Sequence, residues 1–169
     1  MPEKFRRYFV KTKEAEALLD KASEKLKVNL QQIFKAKVNL ELVQTESAQI
    51  YLINGKPSLA KAGEEIFPTL VFNEFLASSP KVVINMGAVP HVCGGANVMA
   101  PGIVRFEGEF KEGDFVLVTD EKYGKPIAVG EIAYDRDTAK KVNHGVVVKN
   151  VHFVGDKVWN FMKQLEAKA

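Results

Sequence analysis

Ile84-Asn85-Met86-Gly87-Ala88-Val89-Pro90-His91-Val92-Cys93-Gly94-Gly95-Ala96-Asn97-Val98-Met99-Ala100-Pro101-Gly102-Ile103 sets four glycines and two prolines into a run that is otherwise mostly apolar. Glycine accepts positive φ and has no Cβ to hold a partner away, so Gly94-Gly95 is suited to end a short helix. Pro101 then fixes the chain ahead of a strand at Ile103. Two readings of the glycines stand side by side. In one they turn backbone amides outward as a concavity for phosphate oxygens, which needs no base to be read. In the other they make a tight helix-to-strand connection and nothing more.

Outward from this stretch the pattern is one of short strands. Downstream, apolar alternation predicts strands near Ile103–Glu107, Phe115–Thr119 and Ile127–Tyr134, a helical turn or two over Asp135–Val142, and a strand from Val146 to Val154. Strands so closely spaced suit a small β-barrel. A helix over Asp156–Glu166 carries Val158, Trp159, Phe161, Met162 and Leu165, and its apolar face, Trp159 included, is expected to dock. Upstream, Lys81–Ile84 reads as a strand, and Ser78-Ser79-Pro80 breaks the chain ahead of it.

Before that break, a strand over Phe5–Val10 precedes a helix that Thr12 can cap, with Ala15, Leu18, Leu19, Ala22 and Leu26 on one face. Two half-buried strands follow over 38–42 and 48–53, then a type I′ turn at Asn54-Gly55 into a strand over Ser58–Ala62. Pro68 opens a helix-like stretch through Phe75. The organisation is therefore α+β, with one domain over residues 1–78 and a second over 79–169 that includes the closing helix.

At 169 residues and 46% hydrophobic content the chain has enough apolar material for a core in each part. The net charge is only +3, and division at Ser78 leaves +2 and +1, so a polyanionic partner requires local clustering of charge. Cys93 is the single cysteine, which excludes an intramolecular disulfide and fits a reducing, cytoplasmic setting. The first residues lack the apolar core of a secretory leader, and no uncharged run approaches a membrane span.

One cysteine and three scattered histidines offer no zinc ligand set, so no metal and no cofactor are expected. His91 and Cys93 stand two apart on a helix and point to different faces, against a nucleophile pair. In Asn54-Gly55-Lys56-Pro57 and Tyr123-Gly124-Lys125-Pro126, proline stands where a phosphate-binding loop needs Ser or Thr, so both read as hairpin turns. Asp114, Asp120, Asp135 and Asp137 occupy turn contexts where Asp bonds the backbone. His152 reads as a satisfied polar residue at a barrel rim. No catalytic residue emerges.

Gly87-Ala88 and Gly95 through Ile103, followed in order by Gly113 to Val118, Pro126 to Gly130 and Asn143 through Phe153, resemble the signature of the PUA domain over roughly residues 80–154. Tyr51 to Pro57 and Phe67 to Leu70 are similar to the N-terminal domain of the malignant-T-cell-amplified-sequence family and its archaeal counterparts. The resemblance implies an N-terminal α/β pre-PUA domain, a C-terminal PUA β-pseudobarrel with a closing helix, and a non-enzymatic, RNA-binding protein associated with translation. It implies structured RNA, tRNA or rRNA, as partner, together with the small ribosomal subunit near the tRNA acceptor end and a density-regulated-protein-like partner, with no DNA and no membrane. The RNA-facing residues it points to are Ala88, His91, Gly94, Gly95, Ala96, Asn97, Met99, Pro101 and Gly102, with Arg105, Lys140 and Lys149 added for charge near the loop. Alternatives are a protein-interaction adaptor on the ribosome, or the RNA-docking subunit of a tRNA- or rRNA-modifying enzyme.

Overall fold

The computed structural model describes residues 4–34 and 37–167. The first three residues, part of the start read above as no secretory leader, lie outside that range. Contacts divide the chain into two units: Met1–Phe75 together with Lys157–Ala169, and Leu76–Asp156.

The first unit is built on an antiparallel meander, β1 (Arg6–Phe9), β2 (Leu40–Gln44), β3 (Gln49–Ile53), β4 (Lys56–Ala62) and β5 (Glu65–Pro68), ordered as they occur in the chain. Ile50 to Ile53 are all buried, as expected of a middle strand covered on both faces. Helix α1 (Thr12–Leu26) buries Ala15, Leu19, Ala22 and Leu26 of the stripe that the spacing predicts, while Leu18 is half-buried. Thr12 does not cap it; Lys11 holds that position without a side-chain bond. The helix ends instead on Lys27, a left-handed residue at φ 58°. A further turn, α2 (Leu30–Ile33), begins at Asn29, whose side chain accepts from the Gln32 amide.

Pro68, which the sequence reading has open a helix, is instead the last residue of strand β5, and of the stretch that follows only Asn73–Leu76 is helical, as α3. The reason lies in position: β5 is the outer strand of its sheet, where a proline removes no needed ladder bond.

The second unit contains β6 (Lys81–Ile84), helix α4 (Val89–Cys93), β7 (Val98–Met99), β8 (Ile103–Glu107), β9 (Phe115–Asp120), β10 (Pro126–Ile132), helix α5 (Arg136–Ala139) and β11 (Val146–Phe153). Its six strands run in the order β7-β11-β10-β9-β6-β8 and curl around a core that includes Val82, Ile84, Val92, Val116, Val118, Ala128 and Val148. All neighbours are antiparallel except β6 and β9, which run parallel with Ile84 opposite Asp120. The register of β10 against β11 shifts between Val129 and Gly130. A Cβ at Gly130 would stand 2.3 Å from Val148 Cγ1 and 2.6 Å from the Lys149 carbonyl oxygen, so this bulge has room for glycine alone.

The closing helix, α6 (Lys157–Ala167), groups with the first unit, whereas the sequence reading attached it to the second. Phe161 meets Phe5 edge-on with ring centroids 5.3 Å apart. Val158, Phe161, Met162 and Leu165 are buried as expected, but Trp159 is only half-buried and carries Lys163 Nζ 4.8 Å from its ring centroid. His152 also differs from expectation: it is fully buried, with Nδ1 2.8 Å from an Asp156 carboxylate oxygen that also accepts from the Phe153 amide.

Candidate nucleic-acid interface

The loop is organised by two asparagines. Asn85, directly after β6, donates its amide to the Gly102 carbonyl and accepts from the Ala88 amide through Oδ1 at 2.9 Å. These bonds bring the two ends of the 84–103 stretch together, and a Cβ on Gly102 would lie 3.0 Å from that of Ala88. Pro90 in the first turn of α4 forfeits no helix bond, and Val92 is the face that α4 buries.

The far end of α4 overturns the outward-amide reading. Gly94 donates to the carbonyls of Pro90 and His91, Gly95 to Val92 and Ala96 to His91, all at 3.0–3.1 Å. The carbonyls of the last turn lack helical donors, and these three amides are the nearest available, so they turn back onto the helix. Gly95 sits at φ +99°, a conformation that a side chain would strain, and its Cα faces the Phe153 ring. The tight-connection reading therefore explains the glycine pair.

Asn150 on β11 completes the frame. Its Nδ2 donates to the Val92 carbonyl at 3.0 Å and to the Ala96 carbonyl at 2.9 Å, and its amide donates to Asn97 Oδ1 at 2.9 Å. Asn97 thus has a bonding role within the fold. Sequence reasoning missed Asn150; the available signal was a lone carboxamide in a valine-rich strand.

What faces outward is side chain. His91 is exposed on α4, and Pro101 is exposed on the 3-10 turn Ala100–Gly102. Met99 is 46% exposed opposite Val146, which is 38% exposed, and Met86 and Val104 are exposed as well. Arg105 and Lys140 come together in the lining of a cavity of about 340 Å³ that Ile103, Phe106 and Ala139 also line. Arg136, not anticipated from sequence, joins them there. Its guanidinium donates to the Gly108 carbonyl at 2.7 Å and to Glu109 at 2.8 Å, while Arg105 Nε bonds Glu107 at 3.0 Å. Lys149 does not line this cavity; it is exposed on β11 beside Asn150.

The carboxylates nearby serve the backbone, as their turn positions predict. Asp135 caps α5 by accepting from the Thr138 amide at 2.8 Å, and that bond first of all holds its carboxyl below the usual carboxylate range. Asp120 accepts first of all from the amide of Tyr123, and also from those of Lys125 at 3.0 Å and Lys122 at 2.9 Å, with the same effect. Asp114 accepts from the Lys111 amide at 2.9 Å. Burial pushes the Cys93 thiol up, away from the reactive thiolate.

A curled six-stranded sheet whose opening loop and short helix lead to a basic cavity defines a PUA-domain protein, and a PUA domain is an RNA-binding module. The PUA domain family matches residues 80–154, and the family described as Domain of unknown function (DUF1947) matches residues 6–73. Uncharacterized protein MJ1432 of Methanocaldococcus jannaschii is 36% identical over 157 residues, covering 92% of this chain and 96% of its own length. Translation machinery-associated protein 20 of Saccharomyces cerevisiae is 28% identical over 153 residues, covering 86% and 84%. A crystal structure of a PUA domain (APE0525) from Aeropyrum pernix K1, a tartrate complex, superimposes with a TM-score of 0.81 at 27% identity, covering 95% and 92%. The chain belongs to the family of PUA-domain proteins that includes Malignant T-cell-amplified sequence 1.

Proposed function

We propose that this protein binds structured RNA, tRNA or rRNA, as a non-enzymatic factor of translation, using the face made by α4, the 94–102 loop, the Arg105–Lys140 cavity and Lys149. The observation that carries this reading is the gathering of Arg105, Arg136 and Lys140 at one cavity, next to the exposed, mostly apolar surface of Met99, Pro101 and Val146. Guanidinium and ammonium groups there meet phosphates, and the apolar surface meets sugar and base edges. Gly94, Gly95 and Ala96 contribute a low, side-chain-poor contour that lets an RNA backbone approach, and Ala88 and Gly102 hold that contour closed from below. The name of one relative, Translation machinery-associated protein 20, supports a place on the translation machinery; the small ribosomal subunit, a density-regulated-protein-like factor and a cytoplasmic setting are part of the proposal.

Binding of a labelled tRNA transcript tests this. With about three to five phosphates neutralised, log K falls against log salt with a slope of roughly −2 to −4.5. Arg105→Ala with Lys140→Ala weakens binding and flattens that slope at unchanged melting temperature. An affinity that ignores salt, or a double variant that binds as wild type, overturns the reading.

A further inference from the structure

We propose that the tip of the β9–β10 hairpin is a second RNA contact, with Tyr123 stacking on an unpaired base and Lys122 and Lys125 taking the phosphates on either side of it. The proposal rests on the RNA-binding reading above and extends it to a surface outside the glycine loop.

Three observations carry it. Residues 121–126 are all exposed, Tyr123 to 62%, with Lys122 Nζ 5.1 Å and Lys125 Nζ 5.7 Å from the centroid of its ring. Both ammonium groups lie over the ring on flexible stems, so a base that stacks there displaces them towards its own two phosphates, and base–aromatic stacking of this kind tolerates any base. An acidic peptide would satisfy the lysines but leave the ring without a counterpart. The tip is also stiff, because Asp120, only 3% exposed, accepts from the amides of Lys122, Tyr123 and Lys125. Its charge is thereby spent on the backbone, and Glu121 is the one acidic neighbour within the exposed tip.

The third observation is position. Strands β6 and β9 run parallel with Ile84 opposite Asp120, and the Glu121 amide donates to the Ile84 carbonyl at 2.9 Å. The chain leaves β6 into the Asn85–Ala88 turn at the same end of the sheet at which β9 enters the hairpin tip. Tyr123 therefore stands at the end of the sheet from which the Asn85–Ala88 turn, with Met86 exposed, leads into α4 of the proposed RNA face.

The test compares fluorescence anisotropy with a labelled tRNA transcript, which has an unpaired 3′ end, and with a blunt-ended RNA duplex. Tyr123→Ala is expected to weaken tRNA binding about five- to a hundredfold while leaving the duplex unchanged, and Tyr123→Phe to retain wild-type affinity. Lys122→Ala with Lys125→Ala lowers the magnitude of the tRNA salt slope by about 1.4, from roughly 0.7 per phosphate on a single strand. Wild-type affinity for tRNA in Tyr123→Ala, while Arg105→Ala with Lys140→Ala is weakened, overturns this contact and leaves the function standing. Equal losses on tRNA and duplex overturn the stacking, as does a photo-crosslinker at position 123 that captures only protein. Failure of the wild-type chain to bind either RNA overturns both proposals together.

Discussion

The turns at Asn54-Gly55-Lys56-Pro57 and Tyr123-Gly124-Lys125-Pro126 share Gly-Lys-Pro yet are held by different means. In the first, Asn54 and Gly55 both have positive φ, 51° and 86°, as a type I′ turn requires. Asn54 is fastened to Asn39 by two bonds, donating its amide to the Asn39 carbonyl at 2.9 Å and accepting the Asn39 amide on Oδ1 at 2.8 Å. In the second only Gly124 is left-handed, at φ 65°, and the turn is gathered around the Asp120 carboxylate. The surfaces differ accordingly. Lys56 reaches Glu74 at 3.8 Å and lines a cavity of about 430 Å³ with Trp159, whereas Lys125 leans on an exposed tyrosine. A short motif is shared, and the residue ahead of it that anchors the turn, Asn54 in one and Asp120 in the other, decides what the turn presents.

The largest effect expected from this contrast is that of Asp120→Ala. Three amides lose their acceptor at once, so the melting temperature drops and hydrogen exchange at Lys122, Tyr123 and Lys125 accelerates. Acid sharpens the same point. The folded carboxyls of Asp120 and Asp135 titrate below the ordinary value of 3.8, so their stabilisation is complete above that value and is lost as pH falls through the lower folded range. Asp120→Asn makes the acid branch of a melting-temperature profile shallower; an unchanged branch would remove the carboxylate from the account.

Next in size come Gly55→Ala and Gly124→Ala. Each position has open space around it and a positive φ, so each substitution costs the left-handed backbone penalty of about 1–2 kcal/mol in urea titration. Near-equal losses separate the shared backbone requirement from the unshared anchors; a neutral Gly124→Ala would break that separation. Asn54→Ala gives up the bond from the Asn39 amide, about 1 kcal/mol, and should be milder than Asp120→Ala. Smallest is Lys56→Ala, which removes an exposed ion pair with Glu74 and shifts stability by less than about 1 kcal/mol in the same titration.

The features readable in the sequence are those enforced by neighbours along the chain. The Asn54-Gly55 turn, the α1 stripe, the helix-then-strand order of 84–103 and the backbone role of Asp120 each depend on a few adjacent residues. Pro68 was misread because the helix-opening preference of proline is local, while its tolerance in a strand depends on that strand being outermost, a property of the whole sheet. The direction of the Gly94–Ala96 amides depends on which carbonyls lack donors, and Asn150 lies more than fifty residues away from the groups it ties. For α6, amphipathicity announced a docking face and could not name the unit that receives it. In the same way Arg105 and Lys140 were nominated by proximity to the loop, but Arg136 enters their cavity through the placement of α5.

The grouping of Lys157–Ala167 with residues before Phe75 bears on synthesis of the chain. The ribosome delivers Leu76–Asp156 between the two segments of the first unit, an interval of roughly 4–16 s at the usual elongation rates of about 5–20 residues per second. During that time the meander exists without its helix, and the side chains that later surround Phe161 and Met162 remain open to water or to a chaperone. The first unit to be translated is thus the last to be finished, and a stall or nonsense codon after Asp156 would release a chain whose early domain is the incomplete one.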